Sequence, residues 1–340
     1  MSTGPGRAPA RAGGVPFVTT LFIRVGVLPF FLVLGLVIFA SLSRQFLTVD
    51  NLVNVARQSV YLVLVSLGQM VVLITGGFDL SVGTVLALAS VISAMVMVDL
   101  GPLLPDQVWL VIALGALAGL GAGLIVGLVN GTGVSIFGVS PFIMTLGVQS
   151  VGAGASLFLT GGVPVSGLPP EFADMFGFGR VMGVPMPVLV ACLFGLAMWI
   201  FAARTRMGRY IQAVGGNIKA AELSGIDTRG TLLVAYCVCA MLAAVTGLLL
   251  TARVESGDAN LGGSIALQSI AACVIGGVSL RGGIGRVENV VLGAFFIVLT
   301  QNGMNLLQIG SYMQMVLLGV LLILAVIADQ VRYRLLLNAR

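Results

Sequence analysis

The 340-residue chain contains no histidine, one lysine and two tryptophans, and only 9% of its residues are charged. Without histidine, a Ser-His-Asp triad, a Cys-His nucleophile and every His-ligated metal site are excluded. The one lysine, Lys219, follows Ile218 rather than a glycine cradle, and no G-x-x-x-x-G-K-[ST] loop occurs. A P-loop nucleotide site on this chain is therefore excluded. An ordinary soluble domain carries about a quarter charged residues, so this composition excludes a soluble globular protein. The cysteines do not restore a metal site. Cys192, Cys237, Cys239 and Cys273 all fall in apolar runs, and Cys237 and Cys239 are two apart, which on a helix points them to different faces. They read as small core residues.

What the chain has instead is long uncharged segments: residues 25–43, 58–78, 80–98, 107–170, 181–203, 230–252, 259–280 and 289–328. About 20 apolar residues cross the hydrocarbon core as a helix, so the two longest runs hold two helices each and the other six one apiece. The fold class expected is all-α, a polytopic membrane bundle of about ten transmembrane helices. The runs are continuous rather than alternating, which excludes a barrel.

With the N-terminus in the cytoplasm, the ten-span arrangement puts thirteen of the 17 basic residues inside and only Arg44, Arg57, Arg180 and Arg253 outside. Both termini are expected in the cytoplasm. Residues 1–24 read as a cytoplasmic tail that is not cleaved, 25–330 as the transmembrane domain with a cytoplasmic loop at 204–230, and 331–340 as a second tail. The net charge of +5 is spread over separate loops without interleaved aromatics, so membrane orientation explains it and nucleic acid is not an expected partner. Residues 44–57 predict a short amphipathic helix at the outer interface, with Asp50 capping its start.

Glycine is distributed with a purpose. Gly115, Gly119, Gly123, Gly127 and Gly131 recur every fourth residue, aligning a groove on one helix face for close approach of another backbone. Gly76-Gly77-Phe78-Asp79-Leu80-Ser81-Val82-Gly83 and Gly276-Gly277-Val278-Ser279-Leu280-Arg281-Gly282-Gly283 share the pattern G-G-x-x-L-x-x-G after an apolar run. They fit a parallel internal repeat of the kind transporters use, or a chance likeness in a chain of 47 glycines. Gly76, Gly77, Asp79, Gly276 and Gly277 are the candidate structural or gating positions. Asp79 lies between two span-length runs, and its spacing to the third span suits a helix N-cap better than proton coupling.

The spans also carry uncharged polar residues, among them Gln69, Asn130, Thr145 and Asn302. Such groups suit a path for a neutral polyhydroxylated solute, or hydrogen bonds between helices. In the cytoplasmic loop, Gly215-Gly216-Asn217, then Ala220-Ala221, then Gly225, predict an N-cap, about two turns of surface helix with a small-residue face, and a C-cap. A short helix displayed in this way suggests a docking partner.

Four stretches carry a family resemblance: Gly68-Gln69-Met70 through Gly83; Pro141-Phe142-Ile143-Met144-Thr145-Leu146-Gly147; Gly208-Arg209-Tyr210 through Gly215-Gly216-Asn217, Ala220-Ala221 and Ser224-Gly225-Ile226; and Gly276 through Gly283. In these the chain resembles the permease subunits of bacterial ABC importers for monosaccharides of the ribose, xylose and galactose type. The likeness runs from about Asn51 to Asp329. Two departures stand out: Phe78, where the family more often has Ile, and Gly152-Ala153-Gly154, where relatives usually carry an Arg-Gly pair. The second puts a substrate role for that region in doubt. Permeases for nucleosides or a furanosyl signalling compound share much of the pattern.

The resemblance implies a transmembrane dimer, with a second copy or a related permease, in the bacterial inner membrane. Two cytoplasmic ATPase subunits would bind ATP and Mg, so that this chain holds no cofactor of its own, and a periplasmic sugar-binding protein would deliver the solute. It further implies that Gly208, Arg209, Gly215, Gly216, Asn217, Ala220, Ala221 and Gly225 form the coupling element toward the ATPase, which drives alternating access. The rival reading is an ion-coupled transporter acting alone, for which only Asp79 could serve.

Overall fold

The computed structural model describes residues 28–338; the expected tail at 1–24 lies outside them. In chain order the main helices are α1 (Leu28–Leu42), α2 (Val49–Ile74), α3 (Val82–Leu100), α4 (Val108–Ser135), α5 (Pro141–Thr160), α6 (Met186–Arg204), α7 (Arg206–Gly216), α8 (Ile218–Leu223), α9 (Thr228–Val254), α10 (Ile265–Ile275), α11 (Val287–Leu306) and α12 (Ser311–Asn338). A two-strand ribbon, β1 (Arg180–Val181) and β2 (Val184–Pro185), precedes α6. The protein is an all-α polytopic membrane protein. Among the described residues, seven helices are long and apolar enough to cross a membrane, and α1, α10 and the first half of α12 are shorter apolar helices. Each of the eight uncharged runs contains the one or two helices expected of it. Helix α12 continues through Asn338, so residues 331–338 extend the last helix.

Three local expectations are corrected. Residues 44–57 do not form a separate amphipathic helix. Val49 already belongs to α2, with Thr48 at its N-cap and Asp50 in its first turn. The turn before it is pinned by Phe46, fully buried with its ring 5.5 Å from that of Phe39. The run 259–280 is not a full span, because α10 has 11 residues, about 16 Å of helix. Residues 255–264 ahead of it pass along α3 without helical structure, Gly257 beside Ala94 and Gly262 beside Gly83. Irregular backbone at this depth must be satisfied by protein. Ser90 Oγ accepts from the Asp258 N–H at 3.2 Å, and Gly257 exchanges hydrogen bonds of 2.8 and 2.9 Å with Val165. Finally, α3 starts with Ser81 at its N-cap, not Asp79.

The core is built around α2, which is buried on all sides beyond Ser59, and the polar outer surface of a soluble protein is replaced by exposed Leu, Ile, Val and Phe on α1, α5, α6 and α12. That inversion is what a lipid solvent selects. The α4 glycine stripe packs as its spacing suggests. A Cβ on Gly119 would stand 2.8 Å from the Ala89 carbonyl of α3, and one on Gly127 would stand 2.9 Å from Cys237 Cα of α9. One helix is thus seated in the groove between two others. Cys237 lies against α4, and Cys239, on another face of α9, lies against Gly68 of α2.

Candidate functional site: two helix breaks and a surface helix pair

Both glycine-rich segments close a helix that ends on the same side of the bundle, and they do so with the same backbone device. At the end of α2, Gly76 N–H bonds the Leu73 carbonyl (2.9 Å) and Gly77 N–H the Val72 carbonyl (3.1 Å). At the end of α10, Gly277 N–H bonds Val274 (2.9 Å) and Val278 N–H bonds Cys273 (2.9 Å). Each is a Schellman cap around one left-handed glycine, Gly76 at φ 85° and Gly277 at φ 79°. The shared sequence pattern aligns Gly76 with Gly276, yet the backbones superpose one residue later, Gly76 on Gly277. A Gly-Gly pair permits this, since either member can take the left-handed turn.

After the α2 cap, residues 75–81 turn back into the bundle, and polar side chains from four helices receive them. Gln69, with its amide oriented to satisfy both neighbours, donates to the Asp79 carbonyl (3.0 Å) and accepts from the Asp79 N–H (3.2 Å). Thr145 Oγ1 of α5 accepts from the Leu80 N–H at 3.1 Å and donates to Pro141 O at 2.8 Å. Asp79 Oδ1 accepts from Ser81 N–H (2.9 Å) and Ser81 Oγ (2.6 Å), and Asn130 Nδ2 of α4 donates to Ser81 Oγ (2.7 Å). Tyr236 OH of α9 reaches the Phe78 carbonyl at 3.5 Å. Gln69, Asp79, Ser81, Asn130, Thr145 and Tyr236 are all fully enclosed. Three of the four expected path residues therefore converge, on unwound backbone. The fourth, Asn302, is elsewhere, at the start of α2, where it and Asn51 exchange two amide hydrogen bonds of 2.9 Å. Ser81 and Tyr236 were not singled out by sequence reasoning. Ser81 follows Asp79 at the spacing of an Asx turn, which was a usable signal, whereas Tyr236 in an apolar run offered none.

The second half of the site is the helix pair α7–α8. Thr205 caps α7 by accepting from the Gly208 N–H (3.1 Å), and Gly208 presses on the Phe201 and Ala202 carbonyls at the end of α6. Arg209 is exposed and donates to the Arg204 carbonyl at 3.5 Å. Asn217 ends α7 and caps α8, its Oδ1 accepting from the Ala220 N–H at 3.0 Å. Gly225 at φ 80° closes α8 with its N–H on the Glu222 carbonyl (2.9 Å). The predicted cap, short helix and cap are all present. The two alanines separate, however: Ala220 is exposed, while Ala221 is only 4% exposed and packs inward. The outward face of α8 is Ile218, Lys219, Ala220 and Leu223, the last 90% exposed.

Gly215 joins the two halves. A Cβ there would collide with the Ile74 carbonyl at the end of α2 and with the Gly283 amide, and those two groups are themselves hydrogen bonded at 2.8 Å. Gly282, at φ 89°, lies against the Gly215 carbonyl. Gly216, one residue on, has open space around it. Thus α7 is wedged against both helix breaks, and α8 projects from it. Among the described residues no group of His, Cys, Asp or Glu side chains could hold a metal ion.

A bundle of lipid-facing helices, two interrupted helices inside it and a surface helix pair abutting both breaks define a membrane transport permease. Residues 51–326 match the family described as branched-chain amino acid transport system / permease component. The chain is 37% identical over 295 residues to the ribose import permease protein RbsC of Escherichia coli (strain K12), covering 86% of this chain and 89% of that one. It is 35% identical over 303 residues to the D-allose transport system permease protein AlsC of the same organism (88% and 90%). With the galactose/methyl galactoside import permease protein MglC of Haemophilus influenzae it shares 34% over 311 residues (89% and 92%). No solved structure matches it. The chain belongs to this family of transport-system permease components.

Proposed function

We propose that the protein is the permease subunit of an ATP-binding cassette importer that moves a monosaccharide of the ribose, xylose or galactose type across the bacterial inner membrane. The relatives' sugars support the substrate class, and ATP and Mg bind a separate ATPase subunit, in keeping with a chain that carries no phosphate-binding loop. A periplasmic sugar-binding protein delivers the solute, and a second permease copy completes the channel. Both termini and the α7–α8 pair lie in the cytoplasm, in keeping with the basic residues of that loop.

The observation that carries this reading is Gly215. Its contact with Ile74 and Gly283 joins an exposed helix directly to the end of α2 and to the break that follows α10. ATP-driven movement of the partner displaces α8 through Ile218, Ala220 and Leu223; α7 transmits the displacement, and the segments 75–81 and 276–286 shift the helices that follow them. Alternating access then needs only two packings of these breaks. Gln69, Asn130 and Thr145, which hold the first break, are the path residues to change. Co-purification from mild detergent tests the whole reading: a stoichiometric ATPase is expected, and a single-chain species, in a detergent that keeps related complexes intact, would favour the ion-coupled alternative.

A further inference from the structure

At the end of the bundle opposite α7–α8, two of the four arginines on the minority side of the charge distribution meet. Arg57 of α2 and Arg253 of α9 flank Tyr61, with the Arg253 guanidinium 5.7 Å from the Tyr61 ring centre. Arg57 Nε, Arg253 Nη1 and the Tyr61 hydroxyl are buried and have no hydrogen-bond partner, and Tyr61 is only 8% exposed. Neither guanidinium pairs with a carboxylate among the described residues. Unpaired cations among membrane helices are costly, and buried guanidinium donors left without an acceptor on either side of Tyr61 call for an anionic one.

Beside this cluster lies a cavity of about 310 Å³ lined by apolar and aromatic side chains, including Trp109, Phe172, Phe176, Val190 and Leu249. Two links place the cavity next to Arg253. Leu249 and Arg253 are one turn apart on α9, and Phe176 is followed by Gly177, which packs against the backbone of Ala252 and Arg253. The lining offers nothing to the hydroxyls of a sugar. It offers an acyl chain a dry slot one helix turn from Arg253.

We infer that Arg57, Tyr61 and Arg253 bind the phosphate of an anionic phospholipid whose acyl chain occupies the Trp109–Phe172–Phe176–Leu249 cavity. Basic pockets between transmembrane helices take phospholipid headgroups by this chemistry, a charge-assisted guanidinium–phosphate bond at the level of the interface. The phenol hydroxyl adds a neutral donor. This assignment does not depend on the transported solute.

Tryptophan fluorescence tests it directly. The chain has two tryptophans, so Trp199→Phe leaves Trp109, in the cavity wall, as the sole emitter. The full-length variant is placed in phosphatidylcholine vesicles with increasing amounts of phosphatidylglycerol or phosphatidylcholine carrying brominated acyl chains. Brominated phosphatidylglycerol should quench at a mole fraction lower by about fivefold for each arginine engaged. Arg57→Gln/Arg253→Gln should lose this preference, and Arg57→Lys/Arg253→Lys should keep most of it. Arg253→Gln alone, at a helix end, is expected to insert and to lose about fivefold. Equal quenching by the two lipids in the parent variant would overturn the proposal, as would a preference that survives Arg253→Gln undiminished. Loss of the preference on adding inorganic phosphate at constant ionic strength would assign the cluster to a free anion and overturn it equally.

Discussion

Replacing Gly215 by alanine places one methyl group between the Ile74 carbonyl and the Gly283 amide. Forcing that volume into a packed junction costs about 1–3 kcal/mol. Parting the 2.8 Å hydrogen bond between those two groups costs about 1 kcal/mol more. Alanine's better helix propensity returns up to about 1 kcal/mol. The net, about 1–3 kcal/mol, falls on the contact by which α7 meets both breaks. With about 1.4 kcal/mol per factor of ten, sugar uptake at matched membrane abundance should drop between about fivefold and about a hundredfold. Gly216→Ala is the internal control: it adds the same methyl group one residue away, in open space, and should transport normally. Uptake of a labelled monosaccharide into cells, with membrane levels followed by immunoblot and ATPase stimulation measured in vesicles, reads both variants. If Gly215→Ala transports as well as Gly216→Ala, the wedge does not couple the surface helices to the breaks and the reasoning fails.

Leu223→Asp changes a side chain that touches almost nothing in the chain itself, so thermal stability should move by less than about 0.5 kcal/mol while ATPase co-purification is lost; retained co-purification would place the docking face elsewhere. Asp79→Asn keeps an oxygen for the Ser81 N–H and hydroxyl, so uptake should stay near normal, whereas Asp79→Ala removes both bonds and should cost about 2 kcal/mol of stability. Complete loss of uptake in a well-inserted Asp79→Asn variant would instead favour ion coupling. Asn51→Ala and Asn302→Ala should each destabilise by about 1–3 kcal/mol without changing sugar preference, and a double-mutant cycle on melting temperature should show them coupled.

Sequence patterns reveal those features whose physics is one-dimensional. Continuous apolar runs specify helices in lipid regardless of their neighbours, so each run yields its helices. The caps of α8 are legible because Asn217 and Gly225 act on backbone within four residues of themselves. The short α10 is not legible, since Ala259, Gly262 and Gly263 are as uncharged as any helix and nothing local distinguishes extended chain from helix there. The inward turn of Ala221 is equally silent, because alanine fits a core and a surface alike. For Gln69, Asn130 and Thr145, spacing shows that polar groups lie in apolar helices, but whether they face a solute or a stretch of unwound backbone depends on residues 78–81 arriving from another part of the chain. The one-residue offset between the two glycine segments has the same origin: four adjacent donors and acceptors choose which glycine turns.

The bond between Gly283 and Ile74 also bears on how the protein is made. Its partners are 209 residues apart in the chain, and Gly215, which seals the junction, comes between them. At about 5–20 residues per second of synthesis, the carbonyl at the end of α2 waits about 10–40 s for its amide. During that interval α7 has nothing to close against on one side. The junction of α7 with both breaks is therefore completed only after residue 283 has been made, so the two ends of this seam are held apart by most of the chain's synthesis.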